Sequence, residues 1–459
     1  MDLMETLAKH ASQVMFEDLP PQVVSITKRS VLDTLGVMIG GSSIEGCRLL
    51  VDYICDWGGR EEGTIAVFGR KAPAALAAQA NGAMARVLEL DDIIDMFPLH
   101  PSASIIPTCL AVAERQGTIN GKDFITAVVL GHDLVIRLAM SVKMNPMISG
   151  RDNLFMVFAL TGSAGKLLGL NEDQLLNAMG IAYSQMVGDV QASMDGVMMT
   201  YIQQGTRAKS AIEAALMAQK GITGTQNVLQ GQYGFYNAYE PDPRLEVLTK
   251  GLGKKFRGED LAIKFHSACR LTHQAIDLAQ MFRVDGITAD QIDRITVKVA
   301  EECYKFVCAP LEKKRTPRTS VDAQFSIPYV TAATFVRGDV FIDEINEQSI
   351  NDPEILKLAQ RITPVLDPER KTDLVLGSVV MEVKTRSGRI LLKKTEFPKG
   401  NPRNPVTMEE CIKKFRKCVS CSLKPFPQKQ LDQIIEVVGN LEQLDNVNQL
   451  GMLLVPASR

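Results

Sequence analysis

The sequence predicts a mainly α fold, with a large all-helical domain and a smaller α+β domain. Up to about residue 230, apolar residues recur at spacings of three and four, and Ala and Leu are frequent. After about residue 285, β-branched residues alternate with polar ones in DRITVKVA and VVMEVKTRSGRILLKKTEF. The 459 residues also exceed the length at which one hydrophobic core usually stops growing. Two domains are therefore expected.

The first part of the chain contains several long helix candidates. PPQVVSITKRSVLDTLGVMIGG begins with prolines that a first helical turn tolerates and ends in a glycine pair suited to a C-cap. KAPAALAAQANGAMARVLEL is too apolar for a surface helix and is predicted to lie in the core. Another helix is predicted to begin near Ser104, because Pro107 then falls in its first turn. Further buried candidates are GKDFITAVVLGHDLVIRLAMSV, RDNLFMVFALTGSAGKLLGL and NEDQLLNAMGIAYSQMVGDVQ.

The second part of the chain mixes strands and helices. Ser387 and Gly388 separate two alternating runs, as the turn of a β-hairpin does. From TMEECIKKFRKCV onward the pattern is helical again, which indicates that the chain returns to the first domain. We predict a large helical domain of residues 1–265, completed by residues 405–459, and a smaller α+β domain of residues 266–404.

Charge and composition exclude several classes of protein. The formal net charge of -2 indicates neither a nucleic-acid partner nor an anionic membrane surface. The N-terminus lacks the basic and apolar regions of a signal peptide, and no uninterrupted apolar run reaches the roughly 18 residues of a membrane helix. A cytoplasmic protein is expected, or a matrix protein if the source is a eukaryote. The nine cysteines are predicted to be free thiols, since Cys418 and Cys421 form one CxxC without a second pair for zinc.

The densest acidic cluster lies in LELDDIIDMFPLHPSASIIP, where four carboxylates precede His100: Glu89, Asp91, Asp92 and Asp95. One interpretation is a solvated connection with a capping or buried histidine. Another is a catalytic loop held between rigid helices. A metal site is a weaker alternative, because no HExxH-type spacing is present, and we predict no metal.

A second polar cluster is KFHSACRLTH, which contains two of the five histidines. Thr272 is a plausible N-cap for a helix over HQAIDLAQMF, so the following N–H groups, with Lys264 and Arg270, favour an anion. The alternative is that His266 and His273 flank the helix and Arg270 pairs with a surface acid. No standard nucleotide-binding loop occurs, since neither GxGxxG nor GxxxxGK[ST] is found.

Taken together, several stretches in register along nearly the whole chain resemble the MmgE/PrpD family, which includes 2-methylcitrate dehydratase, cis-aconitate decarboxylase and iminodisuccinate epimerase. The stretches are RVLELDDIIDMFPLHPSASIIPTCLAVAERQG, GKDFITAVVLGHDLVIRL, GKLLGL, ASMDGVMMTYIQQGTRAKSAIEAALMAQKGITG, VLQGQYGF, KFHSACRLTH, VDAQFSIPYVTAA and FPKGNPRNP. The resemblance implies a large helical domain, a smaller α+β lid domain, a homodimer and no cofactor. It also implies proton movement at a carbon next to a carboxylate of a small di- or tricarboxylate.

The resemblance also implies roles for individual residues. His100 matches the histidine of an HPS element and is expected to be an acid or base. Lys264 and Arg270 are expected to hold substrate carboxylates, and Tyr329, after the pattern DAxFSxPY, is a candidate proton donor. Asp91 and Asp92 match the paired aspartates of DFDDT, and Asp92 is counted among the catalytic candidates.

Several positions depart from the family pattern. Where the family has DFDDT, this chain reads ELDDI, so Glu89 replaces an aspartate. A region that often carries HPTS lacks a histidine, although Arg151 adds a positive charge there. In TYIQQG, Tyr201 replaces a lysine and Gln204 a histidine, and His266 stands where an aromatic is usual. We expect substrate contacts from eight residues: Glu89, Asp91, Arg151, Tyr201, Gln204, His266, Cys269 and Arg270. His266 is hypothesised to compensate for the missing histidine.

The predicted function is a cofactor-independent lyase or isomerase, acting as a dehydratase, a decarboxylase or an epimerase. A carbon acid next to a carboxylate needs cations or donors for the developing charge, and a suitably placed acid and base. The alternative is a catalytically impaired homologue that binds carboxylates or serves as a scaffold.

Overall fold

A computed structural model describes residues 2–97, 99–143, 149–240, 242–367 and 376–457. The chain divides into two compact units. The large unit contains Met1–Val87, Leu99–Asp260 and Met408–Arg459, and the small unit contains Leu88–Pro98 and Leu261–Thr407. The predicted fold class, mainly α with a smaller α+β part, is confirmed by this composition of helices and small sheets.

The large unit is a stack of helices with one two-stranded ribbon, Gly63–Ile65 against Arg70–Ala72. Its long helices are Leu3–Gln13, Pro21–Gly41, Glu45–Trp57, Ala74–Arg86, Ser102–Gln116, Gly121–Ser141, Met156–Leu167, Glu172–Tyr183 and Met199–Gln219, followed after the small unit by Met408–Val419 and Gln428–Gly439. Shorter helices are Gln191–Asp195, Phe235–Tyr239, Glu246–Thr249 and Asn448–Leu453. The helix Met408–Val419, the first after the small unit, packs on Pro21–Gly41, as the predicted return of the chain requires.

The helix Ala74–Arg86 is buried along its whole length, as its apolar sequence predicts. It crosses Met199–Gln219 at two glycines. A Cβ on Gly205 would lie 2.0 Å from the carbonyl oxygen of Gln79, and a Cβ on Gly82 would lie 2.9 Å from the Cα of Gly205. Only residues without a side chain allow the two backbones to approach this closely.

The helix Gly121–Ser141 is long and apolar enough to cross a membrane, with a mean hydropathy of 1.6 over its apolar window. Within the described residues, however, 94% of that window is buried in the large unit. The helix also carries the buried ion pair between Arg137 and Asp133, whose atoms Nε and Oδ2 are 2.7 Å apart. Arg137 donates to carbonyl oxygens of Lys250 and Lys255 as well. These features describe a core helix.

One predicted helix starts two residues earlier than expected, which changes the position of its proline. The helix placed near Ser104 begins at Ser102, and Pro107 lies inside it. The preceding residue, Pro101, occupies the N-cap, so the helix starts immediately after a proline. The N–H of the sixth residue in an α-helix normally donates to the carbonyl oxygen four residues earlier. Proline has no N–H, so Pro107 removes one hydrogen bond from this helix.

The small unit is built around a four-stranded sheet in the order Ile362–Leu366, Ile292–Val299, Val379–Thr385 and Ile390–Thr395. The first pair is parallel and the other two pairs are antiparallel. The hairpin predicted at Ser387 and Gly388 is confirmed, with Gly388 at φ 86°. Helices of this unit are His273–Val284, Glu301–Val307, Leu311–Arg315, Ser320–Gln324, Ile327–Arg337, Ile342–Ile345, Glu347–Ile350 and Pro353–Ala359.

The predicted boundary at residue 266 is corrected by a second, short antiparallel pair in the small unit. Ile93 lies opposite Ala262, and Ile94 lies opposite Leu261. This pairing places residues 88–98, which we call the acidic loop, and residues 261–265 in the small unit. The sequence predicted both stretches in the large domain, because a pairing of two residues leaves no periodic signal.

Candidate active site

The acidic loop and residues 264–273, which we call the site segment, are joined by two buried ion pairs. In the first, the Lys264 Nζ donates to the Glu89 carboxylate at 2.8 Å and to the Glu89 carbonyl oxygen at 3.1 Å. Lys264 is completely buried, and Glu89 is 7% exposed. The Ser267 hydroxyl adds a bond to the Leu88 carbonyl oxygen at 2.7 Å.

Glu89 has an unusual backbone. Its φ is 53°, in the left-handed region that residues other than glycine seldom adopt. Such a conformation costs on the order of 1–3 kcal/mol and persists only where its surroundings hold it. Lys264 donates to both the backbone carbonyl and the side chain of Glu89, and these two bonds stabilise the left-handed conformation.

The second ion pair joins Arg270 to Asp95 in a bidentate arrangement. Nε and Nη2 donate to the two carboxylate oxygens at 2.8 and 2.9 Å. The Asn401 amide also donates to Asp95, at 2.6 Å, and Arg270 Nη1 donates to the Lys399 carbonyl oxygen at 2.9 Å. A substrate carboxylate would have to displace Asp95 from the guanidinium, and the clamp role of Arg270 stays a prediction.

Asp91 and Asp92 are completely buried on the acidic loop, beside the strand Ile93–Ile94. The predicted solvated connection is therefore wrong for these two acids. An ionised carboxylate is kept in such a place only by paired or hydrogen-bonded neighbours. Their predicted contributions to substrate binding and catalysis stay predictions.

His266 lies between two carboxylates of the small unit. Its Nδ1 is 3.0 Å from Asp339 Oδ1, and its Nε2 is 3.2 Å from Asp277 Oδ1. Both ring nitrogens are thus engaged by the protein. This geometry does not support the hypothesis that His266 contacts substrate in place of a missing histidine.

Thr272 occupies the predicted N-cap position of the helix His273–Val284, but its side chain does not cap the helix. Its hydroxyl donates to the Cys269 carbonyl oxygen at 2.8 Å and makes no cap bond, because residues 270–272 already form a helical turn. His273 Nε2 bonds to the Ala268 carbonyl oxygen at 3.1 Å. Burial, and then the nearby charge of Arg270, holds the pKa of His273 well below its ordinary value.

Cys269 and Tyr329 both adjoin the hydrophobic core of the small unit. Burial raises the pKa of the Cys269 thiol to about 11, so this sulfur is a thiol near neutral pH. Tyr329 belongs to the hydrophobic core, and its hydroxyl donates to the Glu344 carbonyl oxygen at 2.7 Å. Burial also raises the pKa of Tyr329. This bond gives the tyrosine a structural function, and its proton-donor function stays a prediction.

The remaining candidates belong to the large unit. His100 is partly buried, two residues before the helix Ser102–Gln116. Arg151 is exposed, with its guanidinium carbon 4.7 Å from the centre of the Tyr239 ring. The Tyr201 hydroxyl lies against Gly46, and burial raises its pKa. The functions predicted for these three residues stay predictions.

Gln204 is held by a network that the sequence did not reveal. Its side-chain oxygen accepts from Arg207 Nη1 at 3.0 Å and from the Ser104 hydroxyl at 3.1 Å. Arg207 is completely buried and donates through Nη2 to Asp152 Oδ2 at 2.7 Å. Gln203 donates to the Asp189 carbonyl oxygen. The two departures from the family pattern, around residues 150–153 and 200–205, therefore meet at Arg207.

Sequence reasoning missed Asp277, Asp339, Asp152 and Arg207. Asp277 is a polar position in a helix that is otherwise mostly apolar on its buried side, which is a usable signal. Asp339 follows Gly338, the C-cap of the helix Ile327–Arg337, and gives no such signal. In the described part of the chain, no group of three or more His, Cys, Asp or Glu side chains is placed to hold a metal ion.

Comparison with known proteins decides the family. The models of the MmgE/PrpD N-terminal domain and the MmgE/PrpD C-terminal domain match residues 5–248 and 266–441. The chain belongs to the MmgE/PrpD family. The predicted family is thereby confirmed.

Relatives match over almost the whole chain. The cis-aconitate decarboxylase-like protein oryM of Aspergillus oryzae is 27% identical over 98% of this chain and 96% of its own length. The cis-aconitate decarboxylase of Aspergillus terreus is 24% identical, over 97% and 94%. The 2-methylcitrate dehydratase of Salmonella typhimurium is 24% identical, over 91% and 89%. Decarboxylases and dehydratases are lyases, so the predicted enzyme class is also confirmed for this MmgE/PrpD member.

Proposed function

We propose that the protein is a cofactor-independent lyase that acts on a small tricarboxylate by proton transfer at a carbon next to a carboxylate. Its relatives are named for cis-aconitate and 2-methylcitrate, which are both tricarboxylates. The observation that carries the proposal is the pair of buried cations, Lys264 and Arg270, held by the acidic loop.

Lys264 is suited to stabilise negative charge on a substrate. An ammonium group has three N–H donors. The Glu89 carbonyl and carboxylate oxygens accept two of these bonds, and the third N–H is the one that we propose for a substrate carboxylate. Because Lys264 is buried, its charge acts in a low local dielectric and stabilises a developing carbanion more strongly than in water.

His100 is proposed as the acid or base. It lies two residues after the acidic loop in sequence, and an imidazole exchanges protons near neutral pH. A group of this kind typically contributes about 10²–10⁴-fold to a rate. Glu89 holds the Lys264 ammonium in place through their ion pair.

The test is incubation with di- and tricarboxylates in D2O, including cis-aconitate and 2-methylcitrate, followed by NMR of products and of deuterium incorporation. We expect conversion or exchange with one tricarboxylate. His100→Ala should abolish it, whereas His10→Ala, in the helix Leu3–Gln13, should not. Activity that survives His100→Ala unchanged would refute the function proposed for His100.

A second candidate is a carboxylate-binding homologue without turnover. The observation in its favour is that Arg270 is already paired with Asp95, and that Gln204 and Arg207 fill a region where the family has a histidine. This candidate predicts an increase in Tm with a tricarboxylate but neither product nor isotope exchange. Any exchange that His100→Ala removes would exclude it.

We also propose that the protein forms a homodimer. Leu49, Tyr53 and Trp57 recur every four residues along the helix Glu45–Trp57, and each is more than half exposed. Exposed apolar stripes of this kind are typical of interfaces. Light scattering should give twice the chain mass, and Trp57→Glu should lower it. A monomeric wild-type protein would refute the dimer.

A further inference from the structure

His266 is the one described histidine whose two ring nitrogens both lie within bonding distance of carboxylates. The side chain is almost completely buried, with 4% exposure of the residue. A carboxylate near neutral pH only accepts hydrogen bonds, whereas a neutral imidazole has a single N–H. Bonds from both nitrogens to Asp277 and Asp339 therefore require the protonated, positively charged ring.

The two carboxylates are themselves fixed by the small unit. Asp277 Oδ2 accepts from the Lys399 backbone N–H at 2.9 Å. Asp339 Oδ1 accepts from the Val340 backbone N–H at 2.8 Å and from the Gln280 amide at 3.2 Å. Through these bonds the His266 ring fastens the site segment to the helix His273–Val284, to residues 339–340 and to the chain at residue 399.

The other charged and titratable groups around the ring are consistent with one positive charge on it. The His273 ring lies 5.0 Å away, centre to centre, and its lowered pKa keeps it neutral. Arg270 donates toward His273 Nδ1 at 3.3 Å while pairing with Asp95. Lys264 pairs with Glu89, and the Lys399 ammonium lies over the Phe265 ring. Asp277 and Asp339 are thus the two anions that face His266.

The titration of His266 follows from competing effects. Burial alone lowers its pKa, but the hydrogen bonds and charges of Asp277 and Asp339 outweigh burial, and the pKa is raised above 6.5. A raised pKa means that the stabilisation is complete below the unfolded-state value. It is lost as the pH rises through the value in the folded protein.

We propose that His266 is a positioning residue, whose charged ring fastens the site segment so that Lys264 and Arg270 keep their geometry, and which releases the segment on losing its proton. The catalytic consequence rests on the lyase function proposed above. The fastening itself does not, because it is a property of the small unit in the absence of substrate.

The first experiment is an NMR titration of the protein labelled with ¹³C at histidine Cε1, with His266→Gln to assign the signal. We expect His266 to titrate above 6.5, and Asp277→Asn and Asp339→Asn each to lower its pKa. Asp285→Asn is the matched control, because it removes a carboxylate at the far end of the same helix. A wild-type pKa at or below 6.5, or no effect of either substitution, would overturn the proposal.

The second experiment measures how strongly the backbone amides of the site segment are protected, by hydrogen–deuterium exchange of peptides that cover residues 264–270. We expect faster exchange in the double variant Asp277→Asn/Asp339→Asn, which keeps side-chain shape and removes the charges, than in Asp285→Asn. The wild type should show the same loosening above the His266 pKa, after correction for intrinsic exchange. Equal protection in all proteins would overturn the proposal.

The third readout is catalysis by the active enzyme as a function of pH. The double variant should lower kcat/KM by between about 10- and 100-fold, the scale of a misplacement of about 1 Å. It should also remove the alkaline decline that deprotonation of His266 produces in the wild type. An unchanged pH profile would refute positioning. A wild type without turnover would count against the lyase, while the NMR and exchange experiments still decide whether the fastening exists.

Discussion

Lys264 has two functions, and a single substitution would remove both at once. Its ammonium group neutralises Glu89 inside the small unit, and it is also the cation proposed to face the substrate. Removing one partner of a buried ion pair typically costs about 3–5 kcal/mol, because the other charge stays buried without compensation. Replacing both partners by neutral groups costs much less.

A comparison of Lys264→Met with Lys264→Met/Glu89→Gln separates the two functions. We expect the single variant to lower the free energy of unfolding by about 3–5 kcal/mol in urea titrations. The double variant should recover most of that stability. Neither should recover turnover, since the substrate cation is absent from both. Recovery of activity in the double variant would show that Lys264 serves only to hold Glu89.

At the scale of elements, the crossing of Ala74–Arg86 and Met199–Gln219 depends on Gly205. A Cβ there meets the backbone of Gln79, which cannot rotate away. Gly205→Ala should therefore lower the free energy of unfolding by at least about 1–3 kcal/mol, the usual cost of overpacking. Gly439→Ala, at a helix end with open space, is the control and should be neutral or slightly stabilising. Equal Tm values for the two variants would contradict this packing.

Local patterns predicted some of these elements and not others. The apolar stretch around residues 74–86 and the turn at Gly388 are encoded by neighbouring residues, and both are found as predicted. The pairing of Ile93 with Ala262 joins residues far apart in sequence, and periodicity carries no information about it.

The same limit applies to the site. KFHSACRLTH identifies the site segment, because two histidines and two cations in ten residues are visible without any partner. It does not identify Asp277 and Asp339 as the acids that engage His266, nor Asp95 as the partner of Arg270. Ion pairs of this kind depend on which loops the fold brings together.

At the scale of the whole molecule, two buried histidines make the free energy of unfolding depend on pH in opposite directions. His132, in the large unit, accepts or donates at 2.8 Å with the Ser102 hydroxyl, and burial lowers its pKa to about 3. The unfolded chain binds a proton there near pH 6.5, so this histidine destabilises the fold as the pH falls from 6.5 toward 3. His266 instead loses its contribution as the pH rises.

His132→Gln should consequently flatten the acid side of the stability curve. Between pH 6.5 and 3, a histidine that charges only in the unfolded chain contributes a slope of up to about 1.4 kcal/mol per pH unit. The difference in unfolding free energy between wild type and variant, measured in urea at several pH values, should change by that slope. A constant difference across this range would show that His132 titrates equally in both states.

Contacts between segments far apart in sequence also affect how the chain folds during its synthesis. The strand Ile93–Ile94 finds its partner only after residue 262 has left the ribosome, and the helix Pro21–Gly41 waits for Met408–Val419. Nascent chains therefore expose apolar surface for most of translation, at roughly 5–20 residues per second. A chain that terminates before residue 261 makes neither pairing, and one that terminates between residues 262 and 408 lacks the second. Truncated products are expected to be substrates for chaperones and proteases rather than smaller working enzymes.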